Sequence, residues 1–246
     1  MGEFLDIWFY SKEYEKITKF LQETKQRAQA LGKEEDSLLR TLKEEKQKLE
    51  NLLKKLIKTT CYSRLLEMKG VGPATIGLLI GYTRDHKWDK EHKKVILSEK
   101  PKPFKSLGSL WHFFGVHGDQ VKRPKRGEKL DYNLKAKGVL LRWSRSPFLR
   151  GYFKTLYQTE LQKSLNNSKH KDWTLPHHKS HARRIICKEL LREFWKCGEF
   201  KSLQMVRTTQ ETPECKRPNL PFILRTPIVR RRKGLNSMET QNCSTK

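Results

Sequence analysis

The residues best suited to chemistry lie in Leu65-Leu66-Glu67-Met68-Lys69-Gly70-Val71-Gly72-Pro73-Ala74-Thr75-Ile76, where two glycines flank one apolar residue directly before a proline-started helix. This is the pattern of a helix-hairpin-helix. Gly70 and Gly72 allow backbone angles closed to other residues and let the main chain approach a phosphate. Val71 turns inward, and the next helix offers free N–H groups at its N-terminus. Lys69 and Thr75 add side-chain contacts. A Gly-x-Gly between two helices also serves as a plain structural turn, and the surrounding positive charge favours phosphate binding over that reading.

A second candidate is the run from Lys122 to Lys137, in the turn-rich stretch that begins at residue 117; the alternative for such a charge run is a solvated flexible segment. Gly118, Pro124 and Gly127 make that stretch a loop, and Lys122, Arg123, Lys125, Arg126 and Lys129 make it the densest positive segment of the central region. It continues through Tyr132, Asn133, Lys135 and Lys137, which suits a nucleic-acid strand: phosphates on the cations and a base contact from Asn133.

A third group is His177, His178 and His181 near Cys187. His177 and His181 have the i, i+4 spacing of a helical metal pair. No third ligand stands at a convincing spacing, and Lys179, Arg183 and Arg184 would repel a cation, so these imidazoles and cations read as part of a basic surface. No metal or other cofactor is expected. Phosphoryl chemistry on metal ions needs convergent carboxylates, whereas Asp85, Asp89, Glu91, Asp119 and Asp131 are scattered, so no catalytic residue is assigned.

The elements that must position these groups follow from composition and periodicity. The formal net charge is +26 over 246 residues, which points to a polyanionic partner, DNA or alternatively RNA, and away from a small neutral substrate. Residues 1–60 contribute +2, residues 61–200 contribute +17 and residues 201–246 contribute +7. Most of the excess therefore sits on the segment richest in aromatics. Five cysteines, odd in number and without a CxxC, suggest neither a disulfide framework nor a zinc ribbon and fit a reducing intracellular compartment. That means cytoplasm or nucleoid, or the nucleus in a eukaryote. No apolar run reaches the roughly 20 residues of a membrane span, and no secretory layout is present at the start.

The expected fold class is all-α, in three parts. Residues 1–60 form an amphipathic, coiled-coil-like helix, with Leu21, Ala28, Leu42, Leu49 and Leu56 in one register and Leu31, Leu38 and Leu52 in the other. It serves either self-association through residues 21–56, an antiparallel helical pair, or packing on its own C-terminal domain. Residues 61–200 form a helix-hairpin-helix-containing domain with further helices from Ser106, over 134–145, over 147–165 from Pro147, and over 177–197, where Ala182, Ile185, Ile186, Leu190 and Phe194 share a stripe. Residues 87–103 read as an exposed loop, and no strand is expected. Residues 201–246, polar and Pro-bearing with Arg230-Arg231-Arg232-Lys233, read as a disordered basic tail.

Residues 65 to 196 resemble the C-terminal transposase domain of the insertion sequence 110 family of mobile-element recombinases. The resemblance rests on an ordered succession: Met68 to Ala74, Phe104-Lys105-Ser106 leading through Leu110 to Gly115, basic residues ending in Asn133-Leu134-Lys135, Tyr152 to Tyr157, and His181-Ala182-Arg183-Arg184 with Lys188 and Trp195. It implies a nucleic-acid-binding domain preceded by that family's coiled coil. The family cuts DNA with a serine of this domain, together with an N-terminal RuvC-like fold that binds metal through acidic residues, under RNA guidance. Residues 1–60 are too few for that fold, and no serine lies between Ser109 and Ser144. The expectation is therefore a transposase-derived nucleic-acid-binding protein that is not catalytically competent alone. Its rivals are a recombinase subunit borrowing a RuvC-like partner and guide RNA, and a coiled-coil assembly protein with non-specific nucleic-acid affinity.

Overall fold

The computed structural model describes residues 3–32, 37–89, 94–118, 130–147, 149–198 and 200. The expected tail, 201–246, lies outside them. Among the described residues the fold is mostly helical, with seven α-helices and one small antiparallel sheet.

The N-terminal part is two helices and not one. α1 (Glu3–Ala30) stops where Gly32 takes φ 63, and α2 (Ser37–Lys58) runs back along it. The antiparallel sense is fixed by paired contacts. The Lys46 ammonium sits 5.3 Å from the centre of the Tyr14 ring, and Thr59 bonds Glu3 at the far end. A single glycine in the left-handed region suffices to end a helix here, because no Cβ opposes the turn. On α2 the fully buried positions are Leu53 and Ile57, with Leu39 nearly so, while Leu31 and Leu38 of the expected seam are exposed.

The N-terminal half of α1, unread in the sequence, packs on the core. α3 (Pro73–Tyr82) is apolar on nearly every face and is buried from Pro73 to Tyr82 except at Thr75. Its Gly77 and Gly81 bring the α1 side chains Ile7, Ser11 and Trp8 against its backbone, where a methyl would overlap Ser11 Oγ and the Trp8 ring. Ser11 satisfies its own hydroxyl by donating to the Ile7 carbonyl at 2.7 Å.

The stretch expected as a loop is a β-hairpin, β1 (Arg84–Asp89) paired antiparallel with β2 (Lys94–Pro101), His86 opposite Leu97 and Lys87 opposite Ile96. Val95, Ile96 and Leu97 supply the strand-forming residues that the flanking charges obscure. Its base is held by Arg84, which is fully buried: Nη1 donates to the Ile80 carbonyl at 3.2 Å, Nε to the Glu99 carbonyl at 3.3 Å, and the guanidinium lies 3.7 Å from the Phe4 ring centre.

α4 (Leu107–Phe113) starts as expected at Ser106, which exchanges hydrogen bonds with Ser109 in a capping box, and ends at Gly115 with φ 61. Leu110 and Phe114 point fully inward. α5 (Leu134–Ser144) is capped by Asn133. α6 (Tyr152–Asn166) starts after Gly151 at φ 58 and not at Pro147, which lies in a turn five residues earlier. α7 (Leu175–Cys197) has Pro176 in its first turn. Its buried face is broader than the expected stripe: Ala182, Ile186, Leu190 and Phe194 are joined by Cys187 and Leu191, while Ile185 is half-buried. Tyr62 stacks on Phe194 at 4.7 Å and Trp195 on Phe200 at 4.9 Å, closing the core beside the start of the central region.

Candidate nucleic-acid interface

The hairpin is preceded by a 3₁₀ turn, Ser63–Glu67, in place of a full α-helix. Gly70 adopts φ 91, a conformation that side-chain-bearing residues rarely take, and Val71 turns inward with 6% exposure. Gly72 differs from its partner: φ −81 and ψ 152 are open to any residue, and a Cβ there would meet nothing within 4 Å. Only the first glycine is required by backbone geometry. Lys69 is exposed on the turn, with Gly151 packed so closely that a methyl on it would lie 3.0 Å from Lys69 Cβ. The Thr75 N–H turns back to the Gly72 carbonyl at 3.0 Å, so this amide is engaged within the helix start.

The second candidate region centres on the two ends of the 119–129 segment. Lys122, Arg123, Lys125, Arg126 and Lys129 themselves lie outside the described residues. At the entry end the Gly118 carbonyl accepts from Arg184 Nη1 at 2.8 Å. At the exit end Tyr132 is buried against Gly115, and Lys137 Nζ stands 4.3 Å from the Tyr132 ring centre. Burial, then the neighbouring Arg184 guanidinium, hold the Lys137 ammonium below its usual pKa. Lys188 adds a third cation, 5.5 Å from the Trp111 ring centre, and its own carbonyl accepts from Trp111 Nε1 at 3.2 Å. Lys135 is exposed on the first turn of α5. Asn133 is engaged as a helix cap, its Oδ1 accepting from the Ala136 N–H at 3.0 Å.

The fold thus brings Lys137, Arg184 and Lys188 together where the basic segment leaves and re-enters. The hairpin is elsewhere. Trp143, in the last turn of α5, donates from Nε1 to the Gly70 carbonyl at 2.8 Å, whereas Lys137 is in the first turn. Six residues of helix separate the two by about 9 Å along the axis. On α7, Arg184 and Lys188 share one i, i+4 stripe, and Lys179 and Arg183 form an adjacent one.

The histidines behave differently from one another. His177 is exposed beside Thr174 Oγ1, while His178 is 5% exposed and its Nδ1 lies 2.8 Å from the buried Ser164 hydroxyl. His178 is thus a satisfied core residue and not part of a basic surface. His170 stacks on Trp173 at 3.7 Å beside it.

One cluster escaped the sequence reading: His112, His117 and Asp131. His112 Nε2 lies 3.2 Å from Asp131 Oδ2, and the two imidazole rings are 4.1 Å apart. Burial, then the neighbouring His112, with smaller contributions from Lys137 and Lys188, hold the His117 imidazole below its usual pKa against the opposing pull of Asp131. The only signal available was a pair of histidines five apart with an aspartate beyond a loop, and such spacing is too common to single out.

Among the described residues no helix is long and apolar enough to cross a membrane. No family model, curated protein or solved structure matches the chain. Function must then be argued from the site itself.

Proposed function

We propose that this chain binds nucleic acid, foremost DNA, on the face formed by Lys137, Arg184 and Lys188, and that it does so without cutting the strand. The observation that carries the reading is the enforced proximity of Lys137 and Arg184. The two cations oppose one another, one of them half-buried and offset only in part by Asp131, so a polyanion is drawn to the pair and relieves the opposition. Five further cations lie on the segment between Gly118 and Leu130.

The exposed Lys69 and the Gly70 turn, at the other end of α5, extend the footprint along a phosphate backbone. The reading also takes the domain as transposase-derived, on the resemblance described above. The two serines bounding the serine-free stretch are engaged structurally: Ser109 in the α4 capping box, and Ser144, 4% exposed, donating to the Leu141 carbonyl at 3.1 Å. Neither is placed as a free nucleophile, which supports binding without strand cleavage.

The test is fluorescence anisotropy with duplex DNA, single-stranded DNA and structured RNA across a salt series. Duplex DNA is expected to bind tightest, with affinity falling steeply as salt rises. The double variant Lys137→Glu, Arg184→Glu should weaken binding and flatten the salt slope by about 2. Negligible binding at low salt, or a slope that ignores the double reversal, overturns the proposal.

A further inference from the structure

We propose that His112, His117 and Asp131 form a binding site for one divalent transition-metal ion of the zinc type, which clips together the two ends of the 119–129 segment. The three residues each offer one donor atom, and these lie within 4.8 Å of one another. In a tetrahedral site with bonds of about 2.1 Å, ligand atoms stand about 3.4 Å apart. His112 Nε2 and Asp131 Oδ2, at 3.2 Å, already have that separation. Closing the set asks only for a side-chain adjustment, since all three donors sit within the stated limit.

The backbone holds the ligands in place independently of any ion. His112 is in the last turn of α4. Gly115, at φ 61, reverses the chain, and the Val116 N–H donates to the Trp111 carbonyl at 3.0 Å, which sets His117 beside His112. Across the segment, the Asn133 N–H donates to the Phe113 carbonyl at 2.8 Å, which sets Asp131 on the same spot. Val116 and Tyr132, the neighbours of two ligands, are both buried, at 2% and 9% exposure. The donors therefore converge because the core fixes the residues next to them.

His117 carries a second sign of an unmet partner. Its Nδ1 is buried and takes no hydrogen bond from the described residues, and such a nitrogen is costly unless something occupies it or the other ring nitrogen fixes the tautomer. A ligand bond supplies that. Two imidazoles and a carboxylate suit zinc or cobalt, not magnesium or calcium, which prefer all-oxygen shells. With Asp131 exposed, the fourth position is open to water. Lys137, Arg184 and Lys188 face the same region and oppose a dication, so the expected affinity is modest and not that of a buried zinc finger. Any effect of the bound ion on nucleic-acid affinity rests on the nucleic-acid reading; the site itself does not.

The experiment uses the full-length chain, stripped with EDTA and dialysed under reducing conditions. Zinc is titrated in competition with a chromogenic chelator, and cobalt is added separately for its visible spectrum. One zinc per chain is expected at micromolar concentrations. His117→Ala and Asp131→Asn should each weaken binding at least tenfold, while the double variant His177→Ala, His181→Ala leaves it unchanged. Asp131 is exposed, so Asp131→Asn keeps the fold, and circular dichroism confirms it. Absent zinc binding, binding indifferent to both single variants, or an intense sulfur-to-cobalt band placing the ion on cysteine overturns the proposal. Because these titrations contain no nucleic acid, failure here is separate from failure of the anisotropy test. Anisotropy with and without added zinc then reads the coupling.

Discussion

The indole N–H of Trp143 donates to the carbonyl of Gly70 across 73 residues of chain, tying the hairpin turn to the last turn of α5. The same indole meets Phe153 edge-on at 5.0 Å, so its ring is fixed from two sides. The turn is positioned by the core and not by a ligand, which makes its geometry available before anything binds.

Replacing Trp143 with Phe keeps an aromatic ring but leaves the Gly70 carbonyl without its donor. A half-buried acceptor so orphaned costs about 1–3 kcal/mol. The urea midpoint should fall accordingly with the slope unchanged. A midpoint equal to wild type would mean that the bond contributes nothing.

The four glycines of this region should separate sharply under alanine substitution. Gly72→Ala meets open space at an ordinary φ and should leave stability within about 0.5 kcal/mol. Gly70→Ala forces a Cβ into φ 91 and should cost about 1–2 kcal/mol. Gly77→Ala and Gly81→Ala drive a methyl into Ser11 and Trp8, pushing α1 off α3 at about 1–3 kcal/mol each. Thermal unfolding of the four variants measures this order, and an intolerant Gly72 would restore the view that both hairpin glycines are needed.

That contrast marks how far the chain could be read from its residues. The helices with ordinary signals were legible: Ser106 and Gly115 bracket α4, and the apolar stripe of α7 is where periodicity puts it. The β-hairpin was hidden because Lys, Glu and Asp dominate 84–101, and the residue that holds its base is an arginine buried against Phe4. The break near Gly32 was hidden because leucines recur on both sides of it in compatible registers. At the site, cations are easy to count but their convergence is not. Nothing local to Lys137 or Arg184 states that α5 and α7 bring them together. Burial of His178 and exposure of His177, adjacent in sequence, depend on α6 supplying Ser164.

Two acids shielded from water, the half-buried Tyr14 and the buried Cys187, contribute to the alkaline loss of stability. Burial, then the nearby Glu50, push the Tyr14 phenol up to about 12, and burial pushes the Cys187 thiol up to about 12. Both are raised above their usual 10.0 and 9.0, so their contribution to stability is whole below pH 9 and is lost as pH rises toward 12. Urea midpoints should decline over that window and not between pH 7 and 9. Tyr14→Phe should decline less steeply than wild type. Iodoacetamide at pH 8 should label the exposed Cys61 while the folded chain protects Cys187; equal labelling of the two peptides by mass spectrometry would contradict the burial.

Asn133 separates a structural role from a recognition role. Its side-chain oxygen caps α5, and removing such a cap costs about 0.5–2 kcal/mol, so Asn133→Ala should unfold at lower urea. Serine caps a helix nearly as well, so Asn133→Ser should return stability to within a few tenths of a kcal/mol. If the residue acts as a cap alone, the serine variant also binds duplex DNA within about twofold of wild type, because the cations it positions on α5, Lys135 and Lys137, are unmoved. A serine variant of native stability that loses about 1–3 kcal/mol of affinity for one DNA sequence and not for another would assign Asn133 a base contact instead.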